Sequence, residues 1–137
     1  MDKVSKAKRS AIMAAIKGKD TLPERIVRSY LFRHGLRFRV CDRRLPGRPD
    51  IVLPKWRTVV EVRGCFWHRH GCEMATMPKT NREFWRSKFR RNVARDRRNV
   101  RLLTESGWNV VIVWECGLAP SRREETLAMV LDMIVTK

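Results

Sequence analysis

The sequence predicts a single α/β domain: a mixed central β-sheet with helices on both faces, tied together by one metal site. Three observations carry that expectation. Helical and β-branched stretches follow one another in the order helix, helix, strands, long helix, strand, helix, a pattern that packs helices onto a sheet. At 137 residues there is material for one core, and no repeat, low-complexity tract or linker marks a second domain. The ten residues from Arg63 to Cys72 hold two cysteines, two histidines and an adjacent Phe-Trp pair, a density that packing alone does not explain.

Taken in order, Met1 to Arg9 is charged and small-residue-rich, and Ile12, Met13 and Ile16 then recur at helical spacing. Residues 1–19 therefore read as a basic arm or weakly anchored helix. Thr21-Leu22-Pro23-Glu24 has the capping-box pattern with Pro in the first turn; Leu22, Ile26, Val27, Tyr30 and Leu31 make the apolar stripe, and Gly35 ends the helix. On spacing Glu24 is that cap, with a carboxylate near a metal as the other reading. Phe38 to Val40 is a short strand. Asp50 opens a strand to Leu53, Pro54-Lys55 turns the chain, and the run Thr58 to Val62 returns as the partner of a hairpin. Asp50 and Glu61 can therefore meet. Thr80-Asn81-Arg82-Glu83 is a second capping box, opening a helix that runs to about Glu105 before Gly107 stops it. Trp108 to Trp114 reads as a buried strand, which makes Trp108 and Trp114 core residues. Ser121-Arg122-Arg123-Glu124 is a third capping box, starting a helix with Leu127, Val130, Leu131 and Ile134 on its apolar stripe.

Net charge is +17, so the expected partner is a polyanion, nucleic acid first, bound through release of condensed counterions. Between Arg82 and Arg101 nine basic residues face two acidic ones, Glu83 and Asp96; a solvated helix mixes its charges, so this one reads as a phosphate-facing surface. No apolar span of membrane length and no secretory leader is visible, which leads us to expect a cytoplasmic protein without membrane association. In that reducing setting the four cysteines argue for metal rather than disulfides. Cys65, His70, Cys72 and Cys116 form a Cys3His set suited to one structural zinc, with Cys41 as the spare thiol. The plainer alternative is buried reduced cysteines beside a surface histidine.

Pro49-Asp50 followed by Glu61-Val62-Arg63 resembles the Pro-Asp, Glu-x-Lys signature of restriction-endonuclease-like nucleases, with Arg for Lys. Two carboxylates and a main-chain carbonyl suit Mg²⁺. Without that chemistry they are a strand-edge Asp and an exposed Glu. A fuller resemblance covers nearly the whole chain: Leu45-Pro46-Gly47-Arg48-Pro49-Asp50, Gly64-Cys65-Phe66-Trp67-His68, Phe84-Trp85, Asn92 with Arg95-Asp96-Arg97-Arg98, and Gly107-Trp108 to Trp114-Glu115-Cys116. In this order the set resembles the very-short-patch repair (Vsr-type) mismatch endonucleases.

That resemblance implies a restriction-endonuclease-like fold and a Mg²⁺-dependent enzyme that nicks DNA 5′ to the thymine of a T:G mispair, the product of 5-methylcytosine deamination. It implies a monomer acting on double-stranded DNA, with mismatch-repair proteins as candidate partners. The family's acidic and imidazole set falls on Glu24, Asp50, His68 and Asp96. Asp50 would ligate Mg²⁺ with the Val62 carbonyl, His68 would transfer the proton, and Asp96 would orient His68 or serve only as an ion-pair partner for its arginine neighbours. Phe66, Trp67 and Trp85 resemble the family's aromatic wedge, which enters the stack where a mismatch makes unstacking less costly. For Trp85 a core role beside Phe84 and Phe89 is the rival. Arg86, Arg90, Asn92 and Arg95 would contact DNA. Arg63 stands where well-known members carry a histidine and Glu61 where they carry an apolar residue. These two are therefore either added groups, a metal ligand and a fixed charge on the phosphate, or a loss of a proton-transfer histidine. Two other readings fit the charge and motifs: a same-fold homing or restriction-like endonuclease without a mismatch requirement, and an inert zinc-containing DNA-binding module.

Overall fold

The computed structural model describes residues 21–65 and 77–136. The expected arm over 1–19, and Phe66, Trp67, His68, His70 and Cys72, lie outside the described residues. The elements are α1 (Leu22–Arg33), β1 (Arg39–Val40), β2 (Ile51–Leu53), β3 (Thr58–Arg63), α2 (Arg82–Glu105), β4 (Asn109–Trp114) and α3 (Arg123–Val135), with 3-10 turns at Pro54–Trp56 and Glu115–Leu118. The strands form one mixed sheet in the order β1-β2-β3-β4. Its first two pairings are antiparallel and β3 runs parallel to β4. Parallel neighbours need a crossover connection, and α2 lies on it.

Strand side chains alternate between faces, and here the alternation sorts the core into two parts. Ile51, Leu53, Val60, Val111 and Val113 meet Val27 and Leu31 of α1 and Leu127, Val130 and Ile134 of α3 in one buried cluster. Val52 and Val59 pack on Leu103 of α2, with Leu45, Trp108 and Val110 at the margin. Helices therefore cover both faces, as the sequence predicts. β4 is an edge of the sheet, so only Val111 and Val113 are buried and the rest of the strand is half-buried. Trp108 supports the second cluster, whereas Trp114 belongs to neither.

Both expected glycine stops are built as Schellman motifs. After α1 the Gly35 N–H donates to the Phe32 carbonyl and the Leu36 N–H to Leu31; after α2 the Gly107 N–H donates to Thr104 and the Trp108 N–H to Leu103. Gly35 and Gly107 sit at φ +87° and +91°, where a Cβ would be strained. In each motif the apolar pair also packs, Leu36 with Leu31 and Trp108 with Leu103. The starts differ from expectation. Thr21 does cap α1, its Oγ1 accepting from the Glu24 N–H at 3.4 Å. The Thr80 box does not form: Asn81 is the N-cap, left-handed at φ +53°, and no side chain caps the helix there. An extended N-cap is what lets a side chain reach the free amides, and Asn81 is not extended. The Ser121 box fails for another reason. Ser121 lies inside a turn closed by the Arg122 N–H donating to the Ala119 carbonyl, so α3 begins two residues later with Arg122 as an uncapped N-cap.

Candidate active site

At one end of the sheet, where β2 begins and β3 ends, a cleft of about 400 Å³ opens between α1 and α2. Four described segments converge on it: Glu24 from the first turn of α1, Gly47 to Asp50 before β2, Glu61 to Arg63 at the end of β3, and Arg95, Asp96 and Asn99 from α2. Among the described residues four carboxylates and three guanidinium groups line it, so that part of the lining is net acidic within a chain of net charge +17. That inversion of sign suits a bound cation.

Asp50 is held by main chain on both sides. Its carbonyl accepts from the Cys41 N–H at 3.1 Å, and its Oδ2 accepts from the Val62 N–H at 2.6 Å. Continuing the β2–β3 register from Ile51 opposite Val60 brings Pro49 opposite Val62. A strand residue's N–H and C=O point to the same side, so the Val62 carbonyl also faces the β2 side, where Pro49 has no N–H to offer it. The proline thus stops the ladder one step short of the Asp50 carboxylate and the Val62 carbonyl. Hydrogen-bonded register, rather than sequence spacing, brings those two hard oxygen donors together.

The loop before Asp50 is bent hard against α2. Gly47 lies at φ +75°, and a Cβ there would sit 2.6 Å from the Asn99 amide nitrogen; Arg48 follows at φ +46°. At the loop's far end Arg44 holds the Asp42 carboxyl well below the usual carboxylate range, through its side-chain hydrogen bond first and its main-chain N–H second. These constraints fix the approach of Pro49, itself fully buried, to the strand.

Glu24 is 6% exposed and lines the cleft, while its amide donates to the Thr21 hydroxyl that caps α1. Asp96 is 8% exposed and falls on the buried stripe of α2, seven residues from Phe89 and from Leu103. On β3, Glu61 and Arg63 form an ion pair, Arg63 Nη2 lying 3.2 Å from Glu61 Oε1, with both side chains largely buried. Asp50 lies one residue before β2 rather than opening it, and Glu61 is not an exposed surface carboxylate. Arg48 and Asn99 were not singled out in the sequence. The readable signals were the Pro-Gly-Arg-Pro turn and the placement of Asn99 three and four residues after Asp96 and Arg95, on one helix face.

Beyond the cleft, the outer surface of α2 is cationic. Arg86, Arg90 and Arg95 are exposed, as are Arg91, Arg97 and Arg98, while Asn92 is half-buried. Arg86 pairs with Glu83 at 3.3 Å, but Arg90, Arg91, Arg97 and Arg98 have no acidic partner among the described residues. Near the start of the helix Trp85 is stacked on buried Phe89 with ring centroids 5.6 Å apart, and Phe84 is exposed beside it. Of the stripe that the core reading expects, Trp85 and Phe89 pack together while Phe84 stays exposed, and Trp85 joins neither core cluster.

Cys65 and Cys116 leave neighbouring strands at matching places. Arg63 pairs with Trp114 across β3 and β4, and each cysteine follows its paired residue by two positions. Cys65 is buried and Cys116 half-buried. No group of three or more His, Cys, Asp or Glu side chains suited to a metal occurs among the described residues, which exclude His70 and Cys72. Also among the described residues, no helix is long and apolar enough to cross a membrane.

Comparison with known proteins places the chain in the class of DNA endonucleases. The family model described as DNA mismatch endonuclease Vsr matches residues 1–74. The chain is 50% identical over 113 residues to DNA mismatch endonuclease Vsr of Escherichia coli (strain K12), which is 82% of this chain and 72% of that one. It is 42% identical over 132 residues to Type II nicking enzyme V.XorIIP of Xanthomonas oryzae pv. oryzae, 96% and 97% of the two chains. It is 46% identical over 112 residues to Type II nicking enzyme V.NmeAIP of Neisseria meningitidis, 82% and 80%. The chain belongs to the Vsr family of DNA mismatch endonucleases.

Proposed function

We propose that this chain is a Mg²⁺-dependent endonuclease that nicks duplex DNA 5′ to the thymine of a T:G mispair, acting as a cytoplasmic monomer on a restriction-endonuclease-like fold. The observation that carries the reading is Asp50, fixed by the Val62 main chain in a cleft whose described lining is net acidic, beside the cationic surface of α2. The names of its relatives, a mismatch endonuclease and nicking enzymes, supply the reaction.

The donor set fits magnesium. Asp50 and the Val62 carbonyl offer oxygen ligands, and Glu61 Oε2, buried and without a hydrogen-bond partner among the described residues, offers another. When bound, Mg²⁺ would neutralise charge on the phosphate and acidify water. Glu24 adds negative charge on the α1 side of the cleft. His68 is assigned proton transfer, and Asp96 is assigned to hold the imidazole in the tautomer that leaves one nitrogen free. The structural zinc is assigned to Cys65, His70, Cys72 and Cys116; the matched exits of Cys65 and Cys116 from β3 and β4 support two of those four ligands. Phe66, Trp67 and Trp85 are assigned to the stack beside the mispair, and Arg86, Arg90, Asn92 and Arg95 to the backbone. Mismatch-repair proteins are the expected partners after incision.

The test is incubation with Mg²⁺ and end-labelled duplexes that differ only in a T:G, U:G or C:G pair. Nicking of the thymine strand in the T:G duplex and an intact C:G duplex is the expected result. Equal cutting of both would replace the reading with that of a sequence-directed nicking enzyme. Asp50→Ala should lower the nicking rate by at least about 100-fold without weakening binding. Alanine at Arg86, Arg90 and Arg95 together should flatten the dependence of log affinity on log salt by about 2–3, at roughly 0.9 per phosphate contact. An unchanged slope takes α2 out of the interface.

A further inference from the structure

Arg63 carries a hydrogen-bond donor that no group among the described residues accepts. Glu61 and Arg63 lie two apart on β3, so their side chains leave the same face of the sheet. The guanidinium is positioned twice over: Nη2 lies 3.2 Å from Glu61 Oε1, and its carbon lies 5.8 Å from the centroid of the Trp114 ring. The residue is 8% exposed, and Nε has no partner among the described residues. Buried donors are almost always satisfied, so an unmet one lining a cleft points to an acceptor supplied by a ligand. A guanidinium keeps its charge at any working pH, so an anionic acceptor gains most from it. Arg48 and Arg95 reach the same cleft but are exposed, so water competes for them. Only Arg63 among these three is both dehydrated and held in place, the condition under which a donor gains most on developing charge.

We infer that Arg63 is a catalytic residue that donates its Nε–H to a non-bridging oxygen of the phosphate being cut, with Glu61 and Trp114 as its positioning residues. The identity of that anion rests on the function proposed above. Glu61 then has two tasks on one carboxylate: Oε1 fixes the arginine, and Oε2 would be left to hold a cation.

The test measures single-turnover nicking of a T:G duplex, with and without sulfur in place of each non-bridging oxygen at the cut site. Arg63→Gln should lower the rate on the oxygen substrate by about 100-fold, while duplex affinity changes less than about threefold. In the unaltered protein one sulfur diastereomer should be slowed about tenfold even when thiophilic Mn²⁺ replaces Mg²⁺, because sulfur accepts the Nε–H poorly. Arg63→Gln should erase that diastereomer's extra deficit. A merely structural arginine predicts equal slowing of every substrate with the sulfur deficit intact, and that result overturns the assignment. Should the glutamine variant fail to fold, Arg63→Lys keeps a cation beside Glu61 but lacks Nε–H. It should show an unchanged melting temperature and a rate at least about tenfold lower, as expected where a planar fork is replaced by a point charge; full activity in the lysine variant also overturns the inference. If the unaltered protein nicks and Arg63→Gln matches it, the inference alone falls. If the unaltered protein does not nick any duplex, the inference falls together with the proposed function.

Discussion

The two faces of the sheet are built from the same strands and serve different ends. Beneath α1 and α3 twelve buried apolar residues form one continuous cluster. Beneath α2 the buried apolar cluster is Val52, Val59 and Leu103, and farther along the same face β3 continues with Glu61 and Arg63 while α2 turns Asp96 inward. Buried ion pairs seldom add net stability, because desolvation offsets their attraction. The difference therefore teaches a division of labour in which one face holds the fold and so permits the other to keep charges dry and hydrogen bonds unmet. A direct way to break that comparison is Leu31→Ala on the thick face. It should cost about 2–5 kcal/mol in urea unfolding, from lost transfer energy plus the cavity left behind. The nicking rate per folded molecule should stay within about twofold. A rate that falls in step with stability would show that the two faces are not independent.

Gly47 tests the comparison from the other side, because it belongs to the cleft yet serves the backbone. Alanine there must occupy φ +75° and push back the Asn99 side chain, whose amide nitrogen would lie 2.6 Å from the new Cβ. About 1–2 kcal/mol of stability should be lost to the left-handed conformation. Because the same turn sets Pro49 and Asp50 against Val62, nicking should fall as well, and this is the expected contrast with Leu31→Ala. A variant that loses stability while keeping its full rate would mean that the loop can shift without moving Asp50.

Much of this division was legible beforehand. The β-branched run from Thr58 and the short turn at Pro54-Lys55 announced a hairpin, and hairpin register then forces Asp50 and Glu61 to one end. Glycine stops were equally readable, since Gly35 and Gly107 follow apolar residues placed to close Schellman motifs. What stayed hidden depends on long-range placement. Helical spacing says that Glu24 sits in a first turn, but not that the first turn of α1 faces the end of β3. Asp96 could have been found by its seven-residue spacing from Phe89 and Leu103, yet five flanking arginines from Arg90 to Arg98 make it look like a surface counter-ion. Glu61 and Arg63 read as departures from a family pattern. Their pairing, and the donor it leaves over, follow from the burial of β3 between neighbours that no local rule specifies.

Helix starts supply the smallest and sharpest contrast, because three similar four-residue patterns gave one cap. Thr21 accepts the Glu24 N–H beside the cleft, whereas Ser121 is spent inside the turn from Ala119 to Arg122 and caps nothing. Thr21→Ala should therefore cost about 0.5–1 kcal/mol, toward the low end for an N-cap because the bond is long at 3.4 Å. Ser121→Ala should change stability by no more than about 0.3 kcal/mol, as for an ordinary surface position. Both are measured by the same urea titration, so the difference between them is free of common error. Equal costs would mean that a cap's value follows from its sequence pattern alone. Unequal costs in the stated order would mean that it follows from the extended backbone that Thr21, at φ −70° and ψ 163°, adopts and the turn at Ser121 prevents.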